Sequence, residues 1–102
     1  MDYYTELKQD IRDELSREIN KVNDVYDLIE IQIELMSWYR HGYGAMKNGS
    51  ITNDEATNLG CTIQNVVRNI SYALYHKEML TIDDIIKLFD ENIEMYEKGS
   101  ID

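Results

Sequence analysis

Proline is absent from all 102 residues, so no position in the chain removes a backbone donor or forces a helix to stop. The five glycines, Gly42, Gly44, Gly49, Gly60 and Gly99, mostly lie between periodic segments. Long helices are therefore the first structures to test against the apolar pattern. Leu7, Ile11, Leu15, Ile19 and Val22 recur at steps of four and three, which predicts a first helix over 3–21 with one narrow apolar stripe.

Asn23 or Asp24 supplies a cap for a second helix over 24–47. There Val25, Leu28, Ile29, Leu35, Met36, Tyr39 and Met46 share a broad face, with Ile31, Ile33 and Trp38 off it. A helix apolar around so much of its circumference is either central to a bundle or in contact with a second chain. Residues 29–35 also alternate apolar and polar side chains, a strand pattern favoured by isoleucine. Helix is the preferred reading, because no second strand is evident to pair with this one and the helical pattern continues on both sides.

Asn48, Gly49 and Ser50 form a turn, and Thr52 with Glu55 has the spacing of a capping box opening a third helix over 53–78. Its stripe of Leu59, Ile63, Val66, Ile70 and Ala73 is the clearest in the chain. Thr81 and Asp84 repeat the cap, and Ile82, Ile85, Ile86, Phe89, Ile93 and Tyr96 line a fourth helix over 82–98. The expected fold is all-α: one domain, 1–102, built as a compact antiparallel bundle of about four helices, with dimerisation through the second helix in prospect.

Charge narrows the function classes. Twenty acidic against ten basic residues give a formal charge of −10, which repels nucleic-acid phosphates and anionic membranes and attracts basic proteins. Direct nucleic-acid binding is not expected. No apolar run approaches the roughly 20 residues needed to span a bilayer. The acidic and basic residues near the start do not read as a signal peptide, and Cys61 alone cannot build a disulfide framework. A cytoplasmic protein is expected, inside a bacterial host if the chain is phage-encoded.

The inventory for catalysis is His41, His76, Cys61 and the serines, without the spacing of a nucleophile–base pair or a zinc site. Asp90, Asn92 and Glu94 lack the glycine of a calcium loop, and Gly42 and Gly44 lack the context of a phosphate loop. The expectation is no enzyme activity, no cofactor and no metal.

Two surfaces stand out as candidates for binding. Asp90, Glu94 and Glu97 fall at i, i+4 and i+7 on one face of the fourth helix, and residues 81–102 hold seven acids against Lys87 and Lys98, half of the net charge. Asp2, Glu6, Asp10 and Asp13, and separately Asp27, Glu30 and Glu34, make similar rows, so that several helices together resemble a phosphate backbone. The other surface is the run Trp38, Tyr39, Arg40, His41, Gly42, Tyr43, Gly44, rich in the side chains that dominate binding interfaces, with Ile31 and Ile33 beside it as a candidate dimer patch.

The leading expectation is thus a small acidic inhibitor or regulator that occupies a basic surface on a nucleic-acid-handling protein, in the manner of phage anti-defence (anti-CRISPR-like) proteins. The competing expectations are a structural or assembly protein working as a homodimer, and an immunity- or antitoxin-like protein facing a basic toxin.

Overall fold

A computed structural model describes residues 2–17, 22 and 24–99. Among the described residues four helices follow in order: α1 (Tyr3–Arg17), α2 (Val25–Lys47), α3 (Asn53–Tyr75) and α4 (Ile82–Glu97). No strand occurs among the described residues, so the isoleucine alternation of 29–35 is helical. The expected continuation of α1 over 18–21, including Ile19, lies outside the described residues.

The helix starts are set by local chemistry. Asp24, Thr52 and Thr81 each accept the backbone N–H three residues on, while Asp27, Glu55 and Asp84 accept the cap residue's own N–H. Each box satisfies backbone donors that a helix start leaves unpaired. The ends are equally specific. Gly49, at φ 83°, closes α2 as Ser50 N–H reaches the Ala45 carbonyl. At the end of α3 the same left-handed place is taken by Lys77, φ 59°, with Glu78 N–H donating to Ala73 O and Lys77 N–H to Leu74 O. This reversal ends α3 at Tyr75, three residues before the expected 78.

One buried cluster draws on all four helices: Tyr4, Leu7, Ile11 and Leu15 from α1; Leu28, Ile31 and Leu35 from α2; Leu59, Ile63, Val66 and Ile70 from α3; and Ile82, Ile85, Phe89 and Ile93 from α4. The α2 face differs from the sequence expectation. The buried lane runs Leu28, Ile31, Leu35, Gly42, Ala45, whereas Val25, Ile29 and Ile33 are exposed. Apolar residues surround this helix, so its periodicity alone admits more than one phase; the steps of three and four shared with α3 pick out the true one.

Contacts between helices are side-chain specific. Gln32 donates to the Val67 carbonyl and to Ser71 Oγ, and further along α2 the Tyr39 ring lies over Gly60, where an added Cβ would sit 3.2 Å from the ring. Asn65 of α3 donates to Asn92 and Tyr96 of α4. The Cα radius of gyration is 13.5 Å, close to the about 13 Å of a compact 100-residue chain. No helix among the described residues is long and apolar enough to cross a membrane.

Candidate functional site

α1 carries three lanes whose order along the sequence determines where charge goes. The apolar lane of Tyr4, Leu7, Ile11 and Leu15 faces the core. The residues just after Leu7 and Ile11, Lys8 and Arg12, face α4: Lys8 Nζ lies 2.5 Å from Glu97 Oε2 and Arg12 Nε 2.5 Å from Asp90 Oδ1. The residues just before Tyr4, Ile11 and Leu15, namely Tyr3, Asp10 and Glu14, face α2.

The α1–α4 side uses up much of the row expected to bind a partner. Glu97 accepts from Lys8 and, at 2.6 Å, from the Tyr4 hydroxyl, while Asp90 is tied to Arg12. Burial resists ionisation of Glu97, but the Lys8 and Tyr4 hydrogen bonds outweigh it and hold its carboxyl below the usual range. Burial, reinforced by Glu97, pushes the Tyr4 phenol well above its ordinary value. Glu94 points outward and pairs with Lys98. Asp90 and Glu97 thus act as struts between α1 and α4, and the three acids are not a continuous outward row.

On the α2 side, Asp10 and Glu14 meet Glu34, Ser37, Trp38 and His41 around a cleft of about 450 Å³ floored in part by Tyr3. Trp38 Nε1–H donates to Glu14 at 2.9 Å, the Tyr3 hydroxyl and His41 Nε2 are 3.0 Å apart, and the Trp38 and His41 rings meet edge-to-face at 5.5 Å. None of the described residues lining the cleft is Lys or Arg. Glu6 and Asp13 lie one turn to either side of Asp10, and Glu30 one turn before Glu34, so the acidic field extends beyond the cleft. Among the described residues no three His, Cys, Asp or Glu side chains are grouped to hold a metal ion. Chemically, convergent carboxylates beside aromatic faces suit a guanidinium or ammonium group, which gains from charge pairing and from the π faces together.

The structure thus joins parts of the sequence candidates, Asp10 and Glu34 from two acidic rows and Trp38 and His41 from the aromatic run, and adds Tyr3 and Glu14. The remaining candidates go elsewhere. Ile31 is 1% exposed and belongs to the core, which removes it from any surface patch. Asp27 serves the α2 capping box and Glu30 is exposed. Tyr39 is half-buried against Gly60, and Tyr43 is exposed with Lys47 over its ring. Ile33 and Arg40 are exposed. Gly42 and Gly44 lie within an unbroken helix rather than at a bend. Cys61 is half-buried on α3.

A further signal was present in the sequence. Residues 35–77 contain Arg40, Lys47, Arg68 and Lys77 but only Asp54 and Glu55, so this stretch is net +2 while the rest of the chain is −12. The acidity belongs to α1, the start of α2 and α4, leaving the second half of α2 and most of α3 without it.

No protein-family model matches the chain, and no curated protein or solved structure is detectably similar to it.

Proposed function

We propose that this chain is a protein-binding inhibitor or regulator of a nucleic-acid-handling protein, and that its α1–α2 cleft receives a basic side chain from the surface it covers. The observation that carries this reading is that Asp10, Glu14 and Glu34 line one cleft together with Trp38 and His41, with no lysine or arginine among its described lining residues. A surface built to hold phosphates presents arginine and lysine, and the guanidinium that grips a phosphate bidentately grips a carboxylate in the same way. The acidic field around the cleft steers such a surface inward, and the aromatic walls reward a cation that has left water.

Trp38 is the only tryptophan, so its fluorescence reports the cleft directly. Titration with a nona-arginine peptide should change it saturably. The effect should weaken steeply toward about 1 M salt, where the screening length falls to about 3 Å. It should also be reversed by a duplex oligonucleotide competing for the peptide, and diminish in Glu14→Gln and Glu34→Gln. A Trp38 signal that the peptide leaves unchanged, or that both variants retain in full, would overturn the reading.

The helix contacts also support an antiparallel up-and-down order for the bundle: Tyr4 near the start of α1 meets Glu97 at the end of α4, and Arg12 meets Asp90 before it. A second reading, self-association, is favoured by one observation: Ile33 is 61% exposed and Ile29 41% exposed on α2. Light scattering across a concentration series tests it, and a chain that stays monomeric at millimolar concentration contradicts it.

A further inference from the structure

The exposed isoleucines lie on a surface with a definite shape and charge layout. Ile29, Ile33, Met36 and Arg40 follow one another at steps of four, three and four along α2. With Val67 and Ser71 of α3 they border a shallow groove of about 340 Å³. Two copies of a chain with net charge −10 repel one another, so close approach is least costly where acids are missing. This groove adjoins such a region, because 35–53 and 56–77 contain no Asp or Glu.

α2 is also divided along its length. Asp24, Asp27, Glu30 and Glu34 occupy its start without a basic residue among them, and Arg40 and Lys47 occupy its second half without an acid. Parallel pairing of two such helices sets acid on acid. Antiparallel pairing sets each acidic half against a basic one.

We infer that a second copy of the chain covers this groove, in a two-fold antiparallel dimer whose axis crosses α2 between Ile33 and Met36. The inference rests on the self-association reading and fixes its geometry. In this register each Ile33 packs on the partner's Met36. Each Arg40 lays its aliphatic stem along the partner's Ile29, bringing the guanidinium to Glu30 on the same turn. A two-fold contact closes on itself, since every residue it uses on one copy is used on the other. The acidic α1–α2 cleft belongs to a different face of α2, the one bearing Glu34, Trp38 and His41, and stays open in such a dimer.

Sedimentation equilibrium of the full chain and its variants tests both levels, with far-ultraviolet circular dichroism confirming that each variant is helical. Wild type should dimerise at micromolar concentration, and Ile33→Asp should be a folded monomer. Glu30→Arg and Arg40→Glu should each weaken dimerisation by about fivefold or more, and the double variant Glu30→Arg/Arg40→Glu should recover most of it, because a charge exchange across a two-fold axis restores both pairs. A monomeric wild type overturns self-association altogether. A dimer that Ile33→Asp leaves intact overturns the face. A dimer lost with Ile33→Asp but not restored by the charge exchange overturns the antiparallel register alone. Assemblies that keep growing with concentration overturn the closed two-fold in favour of head-to-tail contact between acidic and acid-free faces.

Discussion

Replacing Glu97 separates a structural carboxylate from one held ready for a partner. Its Oε2 accepts from the Tyr4 hydroxyl at 2.6 Å and from Lys8 Nζ at 2.5 Å, joining the first turn of α1 to the last turn of α4. A hydrogen bond to an ionised group contributes about 1.5–3 kcal/mol when shielded. The Glu97 side chain is 33% exposed, so its pairing with Lys8 is discounted to about 1 kcal/mol or less. Glu97→Ala, which also leaves the Tyr4 hydroxyl without this acceptor, should then cost about 2 kcal/mol. Glu97→Gln, which keeps an acceptor and loses the charge, should cost about 1 kcal/mol.

The two linked groups give opposite limbs in pH. The folded-state pKa of Glu97 is depressed, so its contribution is present above the ordinary carboxylate value of 4.5 and is lost as pH falls through the lowered one. The Tyr4 phenol is raised, so its contribution is present below the ordinary value of 10.0 and is lost as pH climbs through the raised one. Urea unfolding followed by circular dichroism from neutral pH into acid should show wild type losing stability faster than Glu97→Gln, and Tyr4→Phe should flatten the alkaline limb. An unchanged acid slope in Glu97→Gln, together with a loss below about 0.3 kcal/mol in Glu97→Ala, would refute the strut and return Glu97 to the outward acidic surface.

Three smaller changes probe the fold, all by thermal and urea unfolding. Lys77→Gly should stabilise by about 0.5–1 kcal/mol, because Lys77 holds a left-handed φ of 59° that glycine adopts without a Cβ clash; a loss would show that its side chain contributes more than the strain costs. Thr62→Val should gain about 1 kcal/mol, since this fully buried hydroxyl has no hydrogen-bond partner among the described residues, and a loss of similar size would reveal one. Gly44→Ala should gain about 0.5–1 kcal/mol, because Gly44 lies inside α2 and an added Cβ meets nothing within 4 Å; destabilisation would mean that the glycine is used for close approach.

What could be read in advance depended on how far apart the interacting residues lie. Thr52 with Glu55 and Thr81 with Asp84 are three residues apart, and the α3 stripe has one phase, so two helix starts and the bulk of the core were legible. α2 was legible as a helix but not in its orientation: Ile29, Ile31 and Ile33 are equally apolar, and only packing decides that Ile31 goes inward. The Lys8–Glu97 pair spans 89 positions, so periodicity within α4 could show three acids on one face without showing that α1 delivers cations to two of them. The cleft has the same character. Glu34 and Trp38 were visible as members of separate patterns, and Asp10 and Glu14 become their neighbours only because each precedes a core residue of α1 by one position.

Binding of a basic surface at the α1–α2 cleft can be read residue by residue from amide NMR of the full chain titrated with nona-arginine peptide. Saturable shifts should concentrate at Asp10, Glu14, Glu34, Trp38 and His41, with small effects at Asp90 and Glu97, whose carboxylates Arg12 and Lys8 already engage. Shifts spread evenly over every exposed acid, or centred on α4, would contradict it.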